Sequence, residues 1–193
     1  MAIYADFLPE VRIEVSDAPK QVMLTAIVWA CRELCNQSLV WRHMSDSTLL
    51  FEGAEEMDID DIPAHSEISR LIACTVDGQK LVLGRDASVS LDGLTVQLAA
   101  PTSRQCTGQV TVALRPTRQA AELPDWIVSN YSDTVAHGAL YRLQTNPTKT
   151  WGNPQSASFH YAQFCSGVAR AKIDTVRSGR QTATLSVRPV RFV

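Results

Sequence analysis

The chain has 193 residues, 45% of them hydrophobic and 20% charged, enough apolar material for one good core or two small ones sharing an interface. A formal net charge of −2 provides no general attraction to nucleic acid or anionic membrane, and the apolar runs fall far short of the ~20 residues needed to span a bilayer. Five cysteines, an odd number set mostly among apolar neighbours, fit reduced core thiols in a cytosolic compartment better than a disulfide framework.

Residues 1–17 predict an N-terminal arm, and MAIYADFLPEV lacks the basic-then-apolar pattern of a secretory signal. In IYADFLPEVRIEV, Pro9 interrupts any helix, while Val11, Ile13 and Val15 alternate as in an extended segment. SDAP at 16–19 predicts a helix start, with Ser16 or Asp17 as cap and Pro19 in the first turn. Leu24, Ile27, Val28, Cys31, Leu34 and Cys35 then recur at helical spacing and place the first helix within 18–38. Val22 and Trp29 widen its apolar surface.

Between 39 and 117 the period changes to two, predicting an inserted antiparallel β domain of five or six strands. LVWRH and TLLFE are the first candidate strands. HSEISRLIACTVDGQKLVLG reads as a hairpin turning at Asp77-Gly78, and SVSLDGLTVQLA repeats the device at Asp92-Gly93, residue pairs that tolerate the positive φ of tight turns. In GQVTVALRP, Val110, Val112 and Leu114 share one face, with Thr111, Ala113 and Arg115 on the other.

Residues 118–180 predict two further helices. The first follows Leu123-Pro124 and carries Ile127, Val128, Tyr131, Val135, Ala139 and Leu143 as its stripe. Gly138, about 1 kcal/mol poorer than alanine in a helix, points to a neighbouring backbone coming close. After the TNPTKTWGNPQ loop, Asn153 caps the second and Pro154 opens it. Ala157, Tyr161, Phe164, Val168, Ala171 and Thr175 form its seam against the other helices. Phe159 falls outside that seam, facing either another subunit or the sheet. Gly179 ends the helix, and residues 181–193 alternate like a strand, an extended C-terminal arm with little to pack against in its own chain. The expected fold is α+β: an antiparallel bundle of about three main helices, a small inserted antiparallel β domain and that arm.

Charge is segregated along the chain. Asp46, Glu52, Glu55, Glu56, Asp58, Asp60, Asp61 and Glu67 fall in a stretch without Lys or Arg, whereas from residue 170 onward Arg170, Lys172, Arg177, Arg180, Arg188 and Arg191 face only Asp174. A basic tail docking on an acidic protein surface accounts for the second group, since no aromatic-basic alternation, recognition-helix pattern or finger spacing supports specific nucleic-acid binding. The four histidines, His43, His65, His137 and His160, show no metal-ligand spacing, and Cys31 with Cys35 lacks a second pair. Helix packing can bring His160 toward Cys165 or His137, ordinarily as a structural contact. MDIDDIP has neither the glycine nor the terminal glutamate of a calcium loop. A glycine-rich phosphate loop, a nucleophile elbow and an HExxH pair are all missing. No catalytic residue, metal ligand or cofactor is predicted, and the expectation is a protein that is not an enzyme.

ALRPTRQAAELPDWI, YSDTVAHGALYRL, NPTKTWGNPQ and FHYAQFCSGVARAKIDTVRSGR, in that order, resemble the head-to-tail adaptor (connector) proteins of tailed bacteriophages. AIVWACRELCNQSLVWRH and the terminal RPVRF extend the resemblance over nearly the whole chain. It implies a virion structural protein at the head-tail junction, synthesised in the host cytoplasm. Such proteins form a ring, usually of twelve copies, beneath the portal, extend the DNA channel and carry tail or neck components. The partners implied are further copies of the chain, the phage portal protein, a downstream tail or neck protein and double-stranded DNA in non-specific transit, with no membrane. Arg180, Leu185, Val187, Arg188, Val190, Arg191 and Phe192 are the expected portal-binding residues. Glu55, Glu56, Asp58 and Asp60 are candidate channel-facing acids, and Trp29, Trp126, Trp151 and Phe159 candidate subunit contacts. A stopper or tail terminator, lower in the connector, is the alternative; three helices with a long last one favour the adaptor.

Overall fold

In the computed structural model, which describes residues 2–90, 93–120 and 122–178, the segment expected as an extended arm is helical instead. A 3-10 turn at Tyr4–Phe7 leads into α1, Leu8–Glu14. Pro9 lies in the first turn of α1, where a missing N–H leaves no helical bond unmade, so it starts the helix rather than breaking it. The apparent alternation was one half of a helical pattern: Val11 and Val15 are buried one turn apart, whereas Ile13 is 82% exposed. Ahead of this turn, β1 (Ala2–Ile3) pairs antiparallel with Glu122–Leu123.

Helix α2 spans Lys20–Ser38. Pro19 is its N-cap and no side chain caps it; the Ser16 hydroxyl donates to Asp17 instead, correcting the expected cap. The helix buries Met23, Ile27, Cys31, Leu34 and Cys35 and ends where Leu39 turns left-handed, φ 53°. Burial pushes the Cys31 thiol well above its ordinary range and Cys35 up to about 12, which keeps both protonated and inert. Cys74 and Cys106 are buried too, while Cys165 is exposed.

Residues 42–116 form the inserted β domain. Its principal sheet runs β2 (Arg42–Met44), β9 (Cys106–Pro116), β5 (Ser66–Val76) and β6 (Gln79–Lys80), with β3 (Thr48–Leu50) continuing β2 along the same edge of β9. A second sheet orders β4 (Glu56–Asp58), β8 (Thr95–Leu98) and β7 (Ala87–Val89). The predicted hairpins form: β5 returns into β6 through Asp77 and Gly78, both at positive φ, and β7 pairs with β8, although Asp92 of its turn lies outside the described residues. Register shifts at Ile68/Arg70 and Leu71/Ala73 interrupt the β5–β9 ladder; irregularities of this kind bend a strand and strengthen its twist. Val110, Val112 and Leu114 are buried as expected, but Ala113 on the opposite face is buried as well, because helix α2 packs on that side.

Glu122–Leu123 forms β10, followed by α3 (Asp125–Gln144) and α4 (Pro154–Ser178). Asn153 caps α4 through the Ser156 amide at 3.2 Å, and Pro154 opens it. Helix α3 bends at Tyr131, whose φ of −131° is not helical. It lies against both α2 and α4, and Gly138 sits where both come close. A Cβ there would sit 2.8 Å from the Phe164 ring and 2.9 Å from the Ala30 methyl. The fold is thus α+β, a helical bundle with a long last helix packed against an inserted antiparallel β domain. Residues 181–193, and Arg180 with them, lie outside the described residues.

Candidate assembly surfaces

Helix α4 buries one side only. Ala157, His160, Phe164, Val168, Ala171 and Thr175 face inward. Tyr161, expected in that row, is 50% exposed, and His160 takes its place at 1%. The correction has a physical cause: His160 finds polar partners inside, at His137 and Glu14, that a hydrophobic periodicity cannot register. On the outer side Tyr161, Cys165, Ala169, Ile173 and Val176 follow one another at helical spacing, all exposed. Gln163, Arg170, Asp174 and Arg177 occupy the adjoining flank. A row that repeats over about four turns of an otherwise polar surface is a second apolar face, distinct from the core seam.

A separate partly apolar face belongs to α2. Leu24, Val28 and Trp29 line a groove of about 330 Å³ together with Arg32, Arg118 and Arg142. The Arg142 guanidinium stacks 4.9 Å from the Trp29 ring centroid, a cation–π contact. Trp29 also lies 6.2 Å from both Tyr141 and Phe164. Of the other candidate contacts, Trp126 packs edge-on against Tyr131 at 6.3 Å, and Trp151 lines a shallow pocket beside Val22 and Leu143. All three tryptophans are half-buried in their own chain, whereas Phe159 is 57% exposed. Phe159 leans edge-on against His160 and His137 at 5.3 and 6.1 Å, on α4 rather than against the sheet.

The acidic residues gather on one edge of the β domain. Glu56, Asp58 and Asp60 alternate with buried Met57 and Ile59, so their carboxylates share the solvent side of β4 and its continuation. They line a cleft with Glu52 and the exposed Leu49 and Phe51; Glu55 is exposed on the preceding turn. Asp61 has a different task. Burial alone would raise its carboxyl, but the Asp46 amide and the His43 imidazole outweigh that and draw it below the usual range. Among the described residues no group of three or more His, Cys, Asp or Glu is placed to hold a metal ion, and no helix is long and apolar enough to cross a membrane.

One polar junction sets the β domain against the bundle, and the sequence reading did not single it out. Glu67 on β5 accepts from Arg32 of α2 at 2.7 Å and from Arg115 of β9 at 2.6 Å. Arg32 also donates to the Pro116 carbonyl. Asn36 of α2 accepts from Ser69 at 2.8 Å and from Arg115 at 3.2 Å. Burial works to raise the Glu67 carboxyl, yet the two guanidiniums leave it lower than usual. No signal in the local sequence identifies these five residues, because three separate elements contribute them.

These surfaces belong to an α+β fold with partly exposed apolar surface on α2 and α4 and an acidic edge on the β domain. No protein-family model matches the chain, and no curated protein matches it in sequence.

Proposed function

We propose that the chain is the subunit of a head-to-tail adaptor ring in a tailed bacteriophage, seated beneath the portal, extending the DNA channel and carrying tail or neck components. The observation that carries this reading is the outward row of Tyr161, Cys165, Ala169, Ile173 and Val176 on α4, which the Tyr161–Tyr141 ring contact at 4.8 Å joins to the Trp29 side of α2. An exposed apolar face of this extent favours a contact between copies, and head-to-tail contacts of that kind close into a ring when the rotation between neighbours divides a full turn. The order of elements, a helix, an inserted β domain and two further helices, supports the same reading, since it is the order the resemblance implies.

In this role the function is geometric and no bond is made or broken. The arm at 181–193 adds backbone hydrogen bonds to an exposed strand edge of the portal, with Arg188 and Arg191 meeting acids there. Each contact is weak, and the ring multiplies them through effective concentration. Glu55, Glu56, Asp58 and Asp60, facing the channel, repel the DNA phosphates in transit.

The test mixes purified protein with isolated portal rings and images the product. A ring of the chain coaxial with the portal is the expected outcome, with no third component required. Deleting residues 181–193 abolishes portal binding and leaves a folded subunit; Ile173→Asp with Val176→Asp instead leaves a folded chain that no longer forms rings. Full-length protein that stays monomeric beside portal rings at high concentration overturns the proposal.

A further inference from the structure

Two imidazoles and three carboxylates from α1, α3 and α4 meet beside Phe159. His137 Nδ1 on α3 lies 2.9 Å from His160 Nδ1 on α4, and His160 Nε2 lies 2.8 Å from a carboxylate oxygen of Glu14 on α1. One turn back on α1, Glu10 accepts from the Ser132 hydroxyl at 2.8 Å through one oxygen, and its other oxygen is buried without a hydrogen-bond partner. Asp133 on α3 completes the charged groups acting on His137.

Proton counting limits what this arrangement can hold. A carboxylate only accepts, so His160 Nε2 carries a hydrogen. The two facing Nδ1 atoms then need one proton between them. Either His137 donates to a neutral His160, or His160 carries one extra proton and donates to a neutral His137. A further proton would put N–H on both facing atoms, removing the hydrogen bond and setting two like charges against each other. Beside this junction, α1 is held by the Glu10–Ser132 hydrogen bond and by Leu8 packed against the core. Seven residues form no stable helix alone, and its buried apolar anchors are Val11 and, just beyond its ends, Phe7 and Val15.

We propose that the Glu14–His160–His137 junction is an acid-sensitive clasp fixing α1 onto α3 and α4, closed while the two imidazoles share a proton and opened when both are charged. The electrostatics agree in direction. Burial first, then the neighbouring His160, holds the His137 imidazole below its ordinary value of 6.5, against the pull of Glu14, Asp133 and Glu10. A histidine depressed in the fold contributes stability that is complete above 6.5 and drains away as pH falls below it. The inference concerns the single chain and does not depend on ring assembly.

Two measurements decide it. In nitrogen-resolved NMR of the wild-type side chains, the His137 imidazole titrates below its ordinary value of 6.5; titration at or above that value overturns the clasp. Between pH 7.5 and 5.5 the wild-type Tm falls further than that of His137→Gln, by about 4 °C, and amide exchange across Leu8–Glu14, corrected for intrinsic rates, accelerates at least about tenfold in the wild type alone. Parallel pH profiles in the two proteins overturn it as well. Should the variant fail to fold, the wild-type titration is decisive by itself.

Discussion

In the bundle, α3 is pressed so closely between α2 and α4 that Gly138 has no room for a methyl group, and Phe7, Ile27, Val135 and Phe164 are all but sealed from water. In the β domain, one long β5–β9 ladder carries strands of two or three residues beside a second sheet of strands nearly as short, and Met44, Leu49, Phe51, Val82 and Leu94 remain exposed. The first region depends on side chains fitting at atomic range; the second depends on backbone pairing and on the polar junction through Glu67. Single substitutions should therefore damage the two regions by different mechanisms and to different degrees.

The sharpest break of the bundle is Phe164→Ala. It empties a site touching Trp29 and Gly138, and the expected loss is about 3–5 kcal/mol in denaturant unfolding. A loss below 1 kcal/mol would mean that the seam is looser than its burial indicates. Gly138→Ala sharpens the same point at smaller scale. Overpacking costs ~1–3 kcal/mol, and alanine's better helix propensity returns ~1 kcal/mol, so a net loss of about 1 kcal/mol is expected in the urea midpoint. A gain in stability would remove the close-approach argument.

Glu67→Gln tests the other region, and its expected effect at neutral pH is no larger than that of Gly138→Ala. The carboxylate is over a third exposed, so solvent screens it and the loss is about 1 kcal/mol. Its signature is pH dependence. Because the folded carboxyl sits below its ordinary 4.5, its contribution is complete above 4.5 and disappears as pH falls through the folded value. The Gln variant should lack that part of the acid limb in Tm against pH, and an unchanged limb would show that the two arginines do not recognise the charge.

Features governed by neighbouring residues were legible in the sequence. Asp77-Gly78 specified its turn through the positive φ that both adopt, Asn153-Pro154 announced the start of α4, and Gly138 pointed to a close approach, although the Phe164 ring and the Ala30 methyl come near it rather than a backbone. Features that depend on distant partners were not. Pro9 admits two readings, helix breaker or first-turn residue, and the burial of Val11 and Val15 against the bundle decides between them. Tyr161 is more apolar than His160, so periodicity chose it for the seam; contacts reaching across 23 and 146 residues placed the histidine there instead. Arg32, Glu67 and Arg115 converge from α2, β5 and β9, and each read alone is an ordinary surface charge. Of the candidate interface, the sequence puts Phe159 against either another subunit or the sheet, and its 57% exposure decides against the sheet; the outward row on α4 was masked by the wrong choice of seam.

Where the chain leaves the bundle and where it comes back are hydrogen-bonded neighbours: Arg42 pairs with Ala113, and the Leu114 amide donates to the Trp41 carbonyl at 2.7 Å. The excursion of some seventy residues therefore starts and finishes at almost one point in space, a few ångströms apart across an antiparallel pair. Ends so close together let an excursion be exchanged for a longer, shorter or unrelated one without moving the helices, provided the newcomer still covers the face of α2 on which β9 packs and offers Arg32 an acid.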